Sequence, residues 1–225
     1  SVRDNIIFKP AGTEDLYQRI FVVSAYGGIT DKLLEHKKTG DAGIYAHFAK
    51  DRNQNGWREA FDEVRKTMLG INRDLFGESE LLDEANTFLS ARLDQAQEAL
   101  EDLSRLCSHG HFAIGEHLAT VREMLASLGE AHSAWNMASL LQRDGVNAVF
   151  VDLTGWNAST HMSLDERIVE SFKDIDLATQ LPIATGYAHS ETGLMTTFDR
   201  GYSEMTFSRI AVLTQSREAI IHKEF

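Results

Sequence analysis

The 225-residue sequence holds a single cysteine and two prolines. Cys107 has no second thiol to pair with, so no disulfide forms within the chain and the fold must be held by its core; a reducing compartment, the cytoplasm, is the expectation. No apolar run reaches the ~18 residues of a membrane-spanning helix, and SVRDNIIFKPAG lacks the long apolar stretch of a signal peptide. Basic residues are also in short supply. The 22 Lys and Arg against 34 Asp and Glu leave a net charge of -12, which argues against a surface built to neutralise nucleic-acid phosphates. A phosphate-bearing ligand would need positive charge concentrated locally. The GxSxG elbow of a serine hydrolase is missing. His109, His111 and His117 have no companion cysteine, and their spacing suits neither a structural zinc pattern nor a helical HExxH, so they are expected to be exposed and no metal site is expected.

What is present is enough for one α/β core: 43% of residues are hydrophobic and 25% charged, and no repeat, charge block or low-complexity linker marks a second domain. YQRIFVVS (17–24) is β-branched and aromatic and breaks at Ala25-Tyr26-Gly27-Gly28, which predicts a buried strand running into a glycine loop, with Thr30 or Asp31 capping a helix beyond it. The polar stretch with Gly40, Gly43 and Gly56 has no clear period over its central part. Trp57, Phe61, Val64 and Met68 recur at helical spacing, as do Leu82, Ala85, Leu89, Leu93, Ala96, Leu100 and Leu103; both stripes are read as packed core. One helix is predicted from Val121 to Leu128, ending at Gly129, and a second from Glu130 to Arg143. VNAVFVDL, LPIATGYA and EAIIHKEF read as strands, with helices in SLDERIVESF and MTFSRIAVLT between them. Strands alternating with helices predict a three-layer αβα sandwich with a mainly parallel central sheet. Ligands of such sheets bind beyond the carboxyl ends of the strands, here after Val23, Leu153, Gly186 and Phe225.

Three segments carry chemistry. Ser24 to Asp31 joins a strand end to glycines, hydroxyls and a helix start. It is either a phosphate-binding loop or a plain tight connection. Gly115-Glu116 and Gly129-Glu130 each put a carboxylate beside a glycine. Glu130 is favoured because its helix leads straight into the strand VNAVFVD, although a glutamate at a helix start is often only a partner of the helix dipole. In Thr196 to Glu204, Arg200 offers a permanent guanidinium able to bind a carboxylate bidentately, against the alternative of an exposed ion pair with Asp199 or Glu204.

Taken in order, SAYGGITD, SLGEAHSA, the strand ending in VDL, TGYAHSETGLMTTFDRGYSE and AIIHKEF resemble the aspartate kinases of the amino-acid kinase family, over most of the chain. That family carries a Ser-Ala-x-x-Gly-x-Thr loop, a Gly-Glu-x-x-Ser helix start and a Thr-x-Gly-Arg-Gly-Gly-Ser-Asp turn in the same order. The resemblance implies Ser24 and Thr30 in an aspartate pocket, Glu130 against the substrate ammonium, Tyr187 beside the substrate, Arg200 on a substrate carboxylate and Ser203 in the same turn. Glu204, with Arg200, takes the catalytic place. Gly27 and Gly28 would face the nucleotide, and Lys223 and Glu224, next to His222, would begin the nucleotide loop. Three residues depart from the family pattern: Asp199 and Tyr202 each replace a glycine, and Glu204 replaces an aspartate. DRGYSE together with HKEF resembles the specialised aspartokinases of ectoine synthesis.

The implied reaction moves the γ-phosphoryl group of ATP, with Mg²⁺, to the β-carboxylate of L-aspartate. The family's Lys-x-Gly-Gly-Thr-Ser strand has no counterpart before Tyr17. The sequence begins with Ser1 and stops directly after a strand-like segment, so residues 1–225 are expected to be one partial catalytic domain, inactive alone, whose first strand and ATP-binding C-terminal part lie elsewhere. A homo-oligomer is expected. Two alternatives stay open: a related kinase acting on glutamate or an acylated amino acid, and a non-catalytic member that binds a metabolite or a partner chain through helices such as 80–106.

Overall fold

The computed structural model describes residues 6–8, 16–156, 158 and 161–222, and for Arg200 the backbone alone. Strands β1 (Phe21–Val23), β2 (Ala148–Val151) and β3 (Leu181–Thr185) form a parallel sheet in the order β1-β3-β2. Val23 pairs with Thr185 and Val151 with Ala184, so the three carboxyl ends finish at one edge. Helices α1 (Ile29–Leu33), α2 (Ile44–Lys50), α3 (Gly56–Phe76), α4 (Glu80–Leu106) and α5 (Leu118–Arg143) lie between β1 and β2. Helix α6 (Leu164–Phe172) joins β2 to β3, and α7 (Leu194–Phe198) and α8 (Tyr202–Leu213) follow β3.

Side chains alternate across the strands, as the pleat requires. Phe21, Val23, Leu181 and Ile183 pack with Ala134, Ala138 and Leu141 of α5, whereas Val22, Val151 and Ala184 join the core that contains Ile168 of α6 and Ile210 of α8. Helices cover both faces of the sheet, and the expected layered α/β architecture is the one that forms. Both apolar stripes are core as expected: Trp57, Phe61, Val64 and Met68 line one side of α3, and Ala85, Leu89, Leu93, Ala96 and Leu100 line one side of α4. No helix among the described residues is long and apolar enough to cross a membrane.

Four expectations need correction. Residues 118–143 form one helix, not two. Gly129 does not end it: a Cβ there would stand 2.8 Å from the Ala25 Cβ and 3.1 Å from Ile29 Cγ2, so the glycine serves close approach of helix and loop. Every residue from Leu125 to Ala134 is buried, and a helix covered all round shows no single apolar stripe by which its length could be read. Helix α2 was missed; it is short, and its Ile44 and Phe48 are buried one turn apart, Phe48 edge-on to Trp57 at 5.5 Å. At α1 neither Thr30 nor Asp31 is the cap. The helix starts at Ile29 behind Gly28, whose φ of +79° is the left-handed turn that a glycine permits, and no side chain caps it. Finally, 218–222 is not a strand. The central β3 already has a neighbour on each side, and this segment runs along a cavity beside β1 with Ile220 and Ile221 exposed; the rest of EAIIHKEF, 223–225, lies outside the described residues.

The close approach at Gly129 gives a direct test. Gly129→Ala should lower the stability of the chain by about 1–2 kcal/mol in urea unfolding, because overpacking against Ala25 outweighs the gain in helix propensity. Gly70→Ala, in α3 with nothing within 4 Å of the added methyl, should be neutral or stabilising; equal effects at the two positions would contradict the packing argument.

Candidate functional site

The site is built where β1 and β3 end and α5 and α8 meet them. Glu130, in mid-helix and not at a helix start, is 1% exposed. Ser203 Oγ donates to Glu130 Oε1 at 3.1 Å, while Oε2 has no partner of hydrogen-bond geometry among the described residues. A Cβ on Gly186 would collide with Oε2, so the glycine of LPIATGYA lets a carboxylate stand against the strand end. Burial raises the Glu130 pKa to about 7, with the backbone of Ala25 and then the hydroxyls of Ser203 and Tyr202 and the backbone of Gly186 pulling it down. Three turns of chemistry are thus tied to one carboxylate: the loop after β1, the end of β3 and the first turn of α8.

The loop after β1 is anchored twice more. Ser133 Oγ donates to the Ser24 carbonyl at 2.8 Å. Tyr26 is edge-on to His132 at 5.3 Å and hydrogen-bonds to Asn136, and burial raises its pKa. Behind it, the Asn72 Oδ1 accepts from His132 Nε2 (2.6 Å) and Asn136 Nδ2 (2.9 Å), and Asn72 Nδ2 donates to Asn86 Oδ1 at 3.1 Å. Burial lowers the His132 pKa to about 4, so the imidazole is neutral and its Nε2 carries the proton this geometry requires.

Ser24, Ser203 and Glu204 line a cavity of about 870 Å³, which Phe21 to Val23, α8 and the segment to His222 complete. Glu204 lies in the first turn of α8. Gly27 and Gly28 are exposed in the turn before α1, and Thr30 is half-buried one residue into that helix, away from the cavity wall. Arg200 occupies the single turn Asp199–Gly201 between α7 and α8. Its neighbour Asp199 pairs with Arg122, whose Nη2 lies 2.7 Å from Asp199 Oδ1. Lys223 and Glu224 lie outside the described residues. Tyr187 is buried and lines a second cavity of about 600 Å³ with Glu123, Trp156 and His189; its ring is edge-on to that of Tyr202 at 5.7 Å.

The departures from the family pattern acquire a geometry. Asp199 has φ +48° and ψ -122°, a backbone that favours glycine. Tyr202 is buried and contributes a hydroxyl to Glu130. Asp152, at the end of the strand in VDL, pairs with Arg92 of α4, so it is a structural ion pair. His109 and His111 are exposed and His117 is half-buried; among the described residues no three His, Cys, Asp or Glu side chains stand together as metal ligands. The reading of the sequence missed Glu123. It precedes Glu130 by seven residues, two helical turns on the same face, and that spacing was its available signal.

A three-layer α/β fold with an acidic and a hydroxyl-bearing turn at its strand ends defines a class: the sequence matches the profile of the Amino acid kinase family over residues 8–225, and the chain belongs to that family. It is 52% identical over 224 residues to the aspartate kinase Ask_Ect of Stutzerimonas stutzeri (strain A1501). The match covers all of this chain and 47% of that relative, so the chain spans about half the relative's length.

The raised pKa of Glu130 has a definite sign in stability. A carboxyl that holds its proton more tightly when folded contributes stability below the ordinary carboxylate range, and this is lost as pH rises from about 4.5 through 7. Wild type should therefore lose up to about 3 kcal/mol relative to Glu130→Gln across that window. Urea unfolding of both at several pH values measures it, and a difference that does not change with pH would contradict the assignment.

Proposed function

We propose that the protein containing this chain is an aspartate kinase, which transfers the γ-phosphoryl group of ATP to the β-carboxylate of L-aspartate and forms 4-phospho-L-aspartate. The observation that carries the reading is the Ser203 to Glu130 hydrogen bond, which fixes a buried carboxylate to the first turn of α8, three residues after Arg200. An α-amino acid presents an ammonium and a carboxylate, and Glu130 and Arg200 are the complementary pair. The 52% identity to an aspartate kinase supports aspartate as the amino acid. The DRGYSE turn supports the ectoine type, and the protein is placed in the cytoplasm.

In this mechanism the nucleophile needs no base, because the β-carboxylate of aspartate is ionised at neutral pH. One of its oxygens forms a bond to the γ-phosphorus as the bond from phosphorus to the ADP oxygen breaks. The protein's work is orientation and charge. The ammonium enters next to Glu130, converting a protonated carboxyl to a paired carboxylate in a dry site, and the proton leaves to solvent. Arg200 holds a substrate carboxylate. Ser24 and Ser203 supply hydroxyls at the cavity wall, and Glu204 takes the position nearest the reacting groups. Mg²⁺ arriving with the ATP phosphates would supply neutralisation of charge on the transferring phosphoryl group.

Kinetics of the full-length protein test the reading. Aspartate-dependent ADP formation is expected, and Arg200→Ala should raise the KM for aspartate by about tenfold to hundredfold with the KM for ATP little changed. A wild-type protein without aspartate-dependent turnover would overturn the proposal.

A further inference from the structure

Helix α7 is five residues long and starts behind Gly193, whose φ is +72° and which provides no side chain to cap it. The first N–H groups of any helix lack intrahelical acceptors. Here they are met from another helix: Glu123 Oε1 accepts from Met195 N at 2.7 Å and Thr196 N at 3.2 Å. The contact is close enough that a Cβ on Gly193 would lie 2.7 Å from the same oxygen. Glu123 is 7% exposed, and the Tyr187 hydroxyl lies against its carboxylate, which, after burial, is the main cause of that tyrosine's raised pKa.

The neighbouring residue grips the other end of α7. Arg122 Nη2 pairs with Asp199 Oδ1 at 2.7 Å, and two turns further along α5 Glu130 accepts from Ser203. The turn that carries Arg200 is therefore slung between three attachment points on a single helix: Glu123 before α7, Arg122 after it and Glu130 beyond the turn. Of the three, Glu123 is the one whose carboxylate both accepts from the backbone of α7 and meets the Tyr187 hydroxyl.

We propose that Glu123 is a positioning residue of the amino-acid site: by fixing the first turn of α7 against Tyr187, it sets where the Arg200 turn stands relative to Glu130. The inference rests on the aspartate-kinase reading and extends it to a residue outside the family motifs. Glu123 touches neither substrate. Its loss acts through the placement of Arg200, and so on aspartate in preference to ATP.

The test compares Glu123→Ala, Glu123→Asp and Glu123→Gln in the full-length protein, with the KM for aspartate, the KM for ATP and kcat measured for each. Glu123→Gln keeps an acceptor oxygen for both N–H groups and should keep the aspartate KM within about threefold of wild type, whereas Glu123→Asp, one methylene shorter, should raise it about tenfold or more. Glu123→Ala should match Glu123→Asp; if it does not fold, the Asp and Gln pair decides. In each case the ATP KM should move by less than about twofold. A merely structural role would lower kcat through the active fraction and leave both KM values alone, and that result, or Asp and Gln variants that behave alike, overturns the inference. Absence of aspartate-dependent turnover in the wild type would instead remove the kinase reading beneath it, so the two failures are distinguishable.

Discussion

The structure depends on how closely helix α5 can approach the loop after β1. At Gly129 there is room for Ala25 and Ile29 only because no Cβ intervenes, and that approach brings the next residue, Glu130, under the ends of β1 and β3. From there α5 reaches nearly every part of the site. Ser133 holds the Ser24 carbonyl, His132 and Asn136 support Tyr26, and Glu123 and Arg122 hold the two ends of α7. One helix, buried all round from Leu125 to Ala134, thereby sets the relative positions of loops that are far apart in sequence.

The same helix concentrates polar groups where an apolar core would be more stable. Glu123, Glu130, His132, Ser133 and Asn136 are all buried, and Glu130 Oε2, Glu123 Oε2 and His132 Nδ1 have no hydrogen-bond partner among the described residues. Each such group costs about 1–3 kcal/mol of stability. The cost is uneven along the helix. His132 is held neutral and joined to the Asn72 amide, which is the arrangement of a support. Glu130 has its pKa raised to about 7 and keeps one buried oxygen without a geometric hydrogen bond among the described residues, which suits a group whose partner arrives from solution.

Much of this was legible in the sequence. The apolar periods of α3 and α4 and the β-branched runs of β2 and β3 are local signals, and they gave the right elements. The break predicted at Gly129 failed because glycine has two meanings, a helix end or a close contact, and only the tertiary neighbours Ala25 and Ile29 separate them. The segment 218–222 failed because β-branched residues that belong to a sheet and those that line a groove share one composition. At the site, the motifs named Glu130 and Ser203 separately, and the hydrogen bond that joins them spans 73 residues, a contact no periodicity reveals. Glu123 escaped because its hydrogen-bond partners in α7 are backbone N–H groups, which leave no side-chain motif in the sequence, so only Gly193 and the seven-residue spacing to Glu130 point to it.

The central claim is that the buried Glu130 carboxyl is the receptor for an amino acid's ammonium group. NMR titration of the Glu130 side-chain carboxyl in the full-length protein, labelled at glutamate, tests it most directly. With no ligand the carboxyl should titrate near 7. Saturation with L-aspartate should bring its pKa down into the ordinary carboxylate range, whereas succinate, which has both carboxylates and no ammonium, should leave it raised. A Glu130 carboxyl that titrates identically in the presence of both ligands would contradict the account.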